Sequence, residues 1–405
     1  MIATGKRVVA EDTTSVVNAI AHVEVFHDMA AVEAVWRRFE DSHDTLLTPY
    51  QRYDFQAAWQ AHVGARENLR PFIAIAWGTD GRPLMLLPLG VRTENGVRIA
   101  HYLGGKHTSF NMPLWQRDFA RNAVLDDVKL LLAGIQTHSE QIDVMNLLRQ
   151  PGEWEGVINP LTLLPRQISA NDCPVMHLDP KEPPASRVSN SFRRRLKTKE
   201  RKLEPLPGYR YTIASDEAEI RRLLDAFFVI KRMRMAEQKR PDVFGEPGIL
   251  EFIRQTASAK LPSGERAIEI HALECDEEVI GVFAGVGDKS RFSMMFNTYT
   301  MSPNAKYSPG LILVRNIIDH YAAKGCTSLD LGIGSDSYKR LFCKEDHMIY
   351  DSFIALNRRG SVAAMGMSSL ARARRLVKQT PALMNLAQRL RNVFQRGNRQ
   401  PKDIV

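Results

Sequence analysis

Cysteine is scarce in this 405-residue chain: its four thiols, Cys173, Cys275, Cys326 and Cys343, are scattered with no CxxC pair. That spacing offers neither a disulfide framework nor a zinc site. The 11 histidines show no HExxH or other ligand spacing, so no metal is expected. No apolar run approaches the roughly 20 residues that span a bilayer, and the start of the chain carries no apolar signal core. A cytoplasmic location is therefore the expectation. Gly332-Ile333-Gly334 lacks the third glycine and the strand-to-helix setting of a dinucleotide fingerprint, which argues against nicotinamide binding.

What is present is unevenly charged. From Ser352 onward there are 11 Lys and Arg against one acid, Asp403, a net of +10; the 351 residues before hold 44 basic and 45 acidic side chains, a net of −1. A neutral body thus carries a basic tail, residues 361–405. In that tail two helix-like pieces meet at Thr380-Pro381, and Leu383, Leu386, Leu390, Val393 and Phe394 recur at helical spacing among Arg389, Arg391 and Arg396. Two readings stay open: residues 371–396 lie on an anionic membrane surface or a partner, which would place the protein at the inner face of the membrane, or they pack on their own domain.

Length exceeds the usual single-core limit of roughly 250 to 300 residues, so two domains are expected. After a polar, disordered stretch over 1–20, residues 21–180 read as helix (Met29, Val32, Trp36, Phe39), helix (Phe55, Trp59, Val63), hairpin (Phe72 to Trp77, Leu84 to Leu89), helix (Val124 to Gln136) and strand (Gln141 to Leu147). The proline-rich Pro180 to Pro184 reads as a hinge. Residues 185–357 repeat the theme: a basic helix (Asn190 to Leu203), a strand (Tyr209 to Ile213), a long helix (Glu217 to Gln238), a helix near Pro247 to Ala259 and strands Ala267 to Cys275, Val279 to Gly287 and Arg291 to Thr300. A helix starting at Ser308-Pro309-Gly310, a short strand (Thr327 to Leu331) and a last strand (Ile349 to Leu356) complete it. The fold class is α/β, with mixed sheets.

The richest segment lies between Asn297 and Tyr350. Ser308 suits a helix cap, Pro309 the first helical position, and Gly310 close approach of a ligand. Amides of Gly310, Leu311 and Ile312 at such a helix start would face a phosphate or an oxyanion. Beyond the helix, a glycine-broken loop carries Asp336, Tyr338 and Lys339. The basic helix upstream has seven cationic side chains in the ten positions from Arg193, with Arg194, Lys197 and Arg201 on one face. It reads either as a wall for a phosphorylated ligand or as a solvated surface.

Ser308-Pro309-Gly310, Leu329-Asp330-Leu331-Gly332 and Tyr338-Lys339, with that basic helix about a hundred residues upstream, resemble the acetyltransferase domain associated with bacterial cellulose-biosynthesis proteins. That group belongs to the GNAT superfamily and is akin to the Fem-type aminoacyl transferases. Thr48-Pro49-Tyr50-Gln51, Trp59 and the hairpin resemble the family's N-terminal half, so the likeness runs from Val23 to Leu356. The resemblance implies two tandem GNAT-like domains and transfer from acetyl-CoA or another acyl-CoA to an amine, on a sugar nucleotide or a cell-envelope or exopolysaccharide precursor. It also implies donor contacts at Ser308, Gly310, Leu311, Ile312, Arg194 and Lys197. In such a site Tyr338 would protonate the leaving group, Lys339 would stabilise negative charge, and Asp330 or Asp336 would be the base, although Asp330 after a buried strand also suits backbone satisfaction.

Asn304 to Gly310 stands where GNAT enzymes place an Arg/Gln-x-x-Gly-x-Gly/Ala phosphate loop. That departure keeps two alternatives in view: a Fem-like transferase using aminoacyl-tRNA, and a non-catalytic member of a polysaccharide assembly. Cys326, with no histidine partner nearby, reads as a small buried thiol and not as an acyl carrier. His271 and His320 read as structural.

Overall fold

The computed structural model describes residues 20–138, 141–183, 186–334 and 336–380. Two mixed sheets organise the chain. The first runs Ile20–Phe26, Arg70–Gly78, Pro83–Glu94, Val97–Tyr102, Val144–Pro151, Ile349–Ala355, Gln167–Ile168, with Thr45–Leu46 and Leu114–Gln116 attached at Pro83–Glu94. The second runs Arg210–Ile213, Glu269–Glu274, Val279–Gly287, Arg291–Tyr299, Ser328–Asp330, Pro174–His177, Glu345–Asp346. The α/β expectation holds, as does the hairpin, where Phe72 faces Leu89 and Ile75 faces Leu86.

Each sheet contains one parallel pair among antiparallel neighbours. In the first, Ile99 to His101 pair with Val144 to Asn146; in the second, Arg291 to Ser293 pair with Ser328 to Asp330. Parallel strands need a crossover, and helices supply both: Arg117–Asn122 and Leu125–Gln136 in the first unit, Pro309–Ala323 in the second. Both parallel pairings stop after three residues, so the strands part and leave a gap at the sheet's open end.

Among the described residues, sequence patterning missed nine strands, six of them only two or three residues long. Ile20–Phe26 and Val97–Tyr102 alternate weakly, and Pro174–His177 is too short for a period to register. More consequentially, two strands lie across the expected divide at the hinge. Pro174–His177 pairs with Ser328–Asp330 in the second sheet, while Ile349–Ala355 pairs with Val144–Pro151 in the first.

Local signals account for the helices. Asp28 caps Met29–Asp41 by accepting from the Ala30 amide at 3.0 Å, and Val32, Trp36 and Phe39 are buried at helical spacing. Trp36 keeps its indole N–H satisfied by donating to the Gln51 carbonyl at 2.8 Å. One continuous core runs through both units: Phe55 meets Phe252 edge to face at 5.1 Å, a contact worth about 0.5–1.5 kcal/mol beyond its buried area. Gly248, at φ +87, lets the start of helix Ile249–Ser258 press on the first unit; a Cβ there would sit 1.9 Å from the His62 carbonyl oxygen.

The expected C-terminal tail begins as a helix, Arg358–Gln379, that packs on the first sheet. Gly360 makes this possible, because a Cβ there would lie 1.7 Å from the Asp143 carbonyl oxygen. Arg375 donates to the Ser169 carbonyl and Ser368 to Gln167. The second tail piece, 381–405, and the expected disordered stretch before Ile20 lie outside the described residues.

Candidate functional site

The strand Arg291–Tyr299 outruns its parallel partner, and its free half, Met294 to Tyr299, forms one wall of a cavity of about 560 Å³. Opposite stand Leu331 to Ile333 and Asp336, Tyr338 and Lys339; the long helix Glu217–Glu237 adds Lys231 and Arg234. The first unit closes the cavity with Lys106 to Ser109. Of the sequence-predicted catalytic residues, Tyr338, Lys339 and Asp336 are thus brought together.

Tyr338 accepts a hydrogen bond from Asn297 Nδ2 at 3.1 Å, and burial holds its hydroxyl far above the ordinary phenol range. It therefore stays a proton donor at any physiological pH. Lys339 is 3% exposed and donates to the carbonyls of Gly332 (3.0 Å) and Ile333 (2.9 Å), with Asp336 at 3.9 Å. Burial lowers its pKa. Its ammonium shapes the loop as well as facing the cavity. Asp336 itself is exposed.

Asp330 occupies a different place. Fully buried, it accepts from Arg291 Nε at 2.9 Å, from the Ser293 hydroxyl and from the Gly332 amide at 2.9 Å. The Arg291 guanidinium stacks over Phe110 at 4.5 Å and Trp154 at 5.0 Å, both from the first unit. Asp330 does not line the cavity, and it anchors the strand end and the unit interface. Satisfaction of buried donors is the role its surroundings fit.

The predicted donor contacts lie elsewhere in the fold. Ser308, Gly310, Leu311, Ile312, Arg194 and Lys197 do not line the cavity. Ser308 precedes the helix at φ +58 and makes no side-chain cap; its hydroxyl instead accepts from Lys199 Nζ at 2.6 Å. The Leu311 and Ile312 amides both donate to the Ser308 carbonyl, at 3.0 and 3.3 Å, because the residue before a helix supplies the first intrahelical acceptor. Only Gly310 keeps a candidate free amide there. Glu278 accepts from Thr300, Ser302 and Asn304, and so fixes the preceding loop with a carboxylate where a phosphate loop would stand.

Around the basic helix Asn190–Glu200, Arg193 pairs with Asp319 at 3.1 Å and Arg315 pairs with Glu200 at 2.8 Å, stitching it to helix Pro309–Ala323. Arg194, Arg195, Lys197, Arg201 and Lys202 are exposed. Arg194, Lys197 and Arg201 form no ion pair among the described residues.

Sequence reasoning passed over Lys106, His107, Lys231 and Arg234. The cluster Lys231-Arg232-Met233-Arg234 and the turn Gly104-Gly105-Lys106-His107 were the available signals. Trp59 Nε1 donates to His107 Nδ1 at 3.0 Å, which puts the ring proton on Nε2; burial lowers this histidine to about 4 and keeps it neutral. Lys231 donates to the Asn297 carbonyl at 3.0 Å and is lowered by burial, and Arg234 lies 3.7 Å over the Tyr299 ring. With Arg240, five cationic side chains and one carboxylate, Asp336, line the cavity among the described residues. The cavity is electropositive and suits an anionic substrate.

Cys326 is 3% exposed, with its thiol raised to about 11 by burial, which fits an inert core position. Among the described residues no group of side chains could hold a metal ion, and no helix is long and apolar enough to cross a membrane.

Residues 190–340 match the family model of an acetyltransferase (GNAT) domain. No curated protein matches the chain by sequence. Among solved structures, FemX is similar at TM-score 0.54 and 8% identity, over 81% of this chain and 96% of its own. A conserved protein of unknown function from Bacteroides thetaiotaomicron VPI-5482 is similar at TM-score 0.50 and 12% identity, over 83% of this chain and all of its own. Those two likenesses concern the fold. The family likeness is confined to residues 190–340, most of the second unit.

Proposed function

We propose that this protein transfers an acyl group from an acyl-CoA, acetyl-CoA in the simplest case, to an amine acceptor within the cavity between its two units. The observation that carries the reading is the meeting of Tyr338, Asn297 and Lys339 in an electropositive cavity where the parallel strands part. The neutral amine attacks the thioester carbonyl carbon, a tetrahedral oxyanion forms, and the carbon–sulfur bond breaks as the thiolate takes the Tyr338 proton. Lys339 and the His107 Nε2–H supply positive potential for the oxyanion. Asp336 accepts the amine proton. An envelope or exopolysaccharide precursor as acceptor rests on the sequence resemblance alone.

Titration calorimetry with acetyl-CoA and a longer acyl-CoA tests this, on wild type and on Arg234→Gln/Arg240→Gln. Micromolar binding, weakened at least about tenfold in the variant, supports the cavity as the donor site. Absence of binding by wild type refutes an acyl-CoA donor.

A second reading, aminoacyl-tRNA as donor, is favoured by the exposed cations of the basic helix and by the Glu278-filled loop. Peripheral contact with an anionic membrane draws support from Val362, Met365, Leu370 and Leu376, which are exposed on the arginine-rich helix Arg358–Gln379.

A further inference from the structure

We propose that a second cavity, of about 410 Å³ beneath the C-terminal helix, binds a phosphate group carried by the amine acceptor. This rests on the transferase reading and adds to it the charge and location of the second substrate. The cavity lies between helix Arg358–Gln379 and the strands Val144–Pro151 and Ile349–Ala355. Its size falls within the range of roughly 300–1,000 Å³ usual for small-molecule sites.

Four cationic side chains line it, Lys106, Arg149, Arg374 and Lys378, against one carboxylate, Asp351, among the described residues. Asp351 is already engaged, since it accepts the Arg149 amide at 2.9 Å. The Arg149 guanidinium is fixed by donating to the carbonyls of Gly105 (2.7 Å) and Thr108, so the loop that closes the catalytic cavity hangs on this residue. Arg149 does this at φ +60, a left-handed backbone costing about 1–3 kcal/mol in a non-glycine residue, which surrounding contacts must over-determine. Lys106 pairs with Glu246 and Lys378 with the Asn171 amide oxygen, while Arg374 is exposed and forms no ion pair among the described residues. Phe353 and Leu370 add apolar surface for the part of the ligand beside the phosphate.

Lys106 and Ile333 line both this cavity and the one holding Tyr338 and Lys339. A ligand seated under the helix therefore needs only to pass these two side chains to present its amine to the acyl donor. That placement distinguishes the site from the exposed basic helix Asn190–Glu200, which borders neither cavity.

A soluble ester and a phospholipid both carry such a phosphate, and two probes separate these sources. Binding of inorganic pyrophosphate is measured by titration calorimetry, and of phosphatidylglycerol vesicles by sedimentation. Both use the full chain as wild type, Arg374→Gln/Lys378→Gln and, as a control of equal charge change, Arg194→Gln/Lys197→Gln. The expected result is a loss of about tenfold or more in affinity in the Arg374/Lys378 variant and none in the control. Dependence seen with pyrophosphate assigns a soluble ester, and dependence seen only with vesicles assigns a lipid; either supports the site. Equal binding by wild type and the Arg374/Lys378 variant with both probes, equal loss in the control, or no binding of either probe overturns it. No acyl donor enters these measurements, so a failure of acyl-CoA binding would count against the transferase reading and leave this result standing.

Discussion

Lys339 holds the Gly332 carbonyl at 3.0 Å from a side chain that is 3% exposed, and the neighbouring Ile333 carbonyl at 2.9 Å. Truncation therefore strips two carbonyls of their donor as well as removing a charge from the cavity. Lys339→Ala should abolish transfer and also lower stability by about 1–3 kcal/mol per unsatisfied group. Urea unfolding beside a single-turnover assay checks both; a variant with wild-type stability would mean the loop finds other donors.

Tyr338 differs, because its hydroxyl accepts from Asn297 at the rim of the cavity and its ring can stay in place without it. Tyr338→Phe should leave the melting temperature within a degree or two and cut kcat by about 10² to 10⁴. Burial holds the phenol protonated, so it does not contribute an alkaline limb near neutrality. Unchanged kcat would remove Tyr338 from proton transfer.

Asp330 and Arg291 are both buried, at 0% and 5% exposure, and paired at 2.9 Å. Asp330→Asn leaves the guanidinium uncompensated and should cost about 3–5 kcal/mol of stability. The fraction that remains folded should keep most of its kcat, measured on protein quantified by active-site titration. Complete loss of turnover in folded protein would reinstate Asp330 as the base.

Acid sensitivity should trace in part to His271. Fully buried, it lies 2.8 Å from the Tyr211 hydroxyl and 2.9 Å from that of Tyr321, and burial first, then His320 and Lys324, lowers it to about 3. Unfolded, the same ring titrates near 6.5. Protons therefore bind the unfolded chain first: the contribution is whole above about pH 6.5 and falls by about 1.4 kcal/mol per unit as pH drops toward 3. His271→Gln should be less stable near neutrality yet show a shallower acid limb in urea midpoints. Parallel limbs would place the titration elsewhere.

Much of the architecture was legible because long amphipathic helices and the Phe72 to Leu89 hairpin declare themselves by period. Tyr338, Lys339 and Asp336 were read from one loop, and all three line one cavity. The other half of the cavity was not, since Lys106, His107, Lys231 and Arg234 come from a distant turn and the flank of a helix, where only tertiary packing gives them a shared purpose. At the Ser308 helix start, proline and glycine mark where a helix begins, but they do not say which of its amides are already taken. Trp59 was one of the residues behind the N-terminal resemblance, and its indole sets the His107 tautomer.

Because Ile349–Ala355 completes the first sheet and Pro174–His177 the second, the chain is threaded twice across its own midline. A chain severed at the proline-rich hinge would deprive each half of an interior strand and expose unpaired backbone in both sheets. Neither half is then an independent part to be borrowed, shuffled or expressed alone. Fragments split there should be insoluble separately and regain form only when made together, each lending the other the strand it lacks.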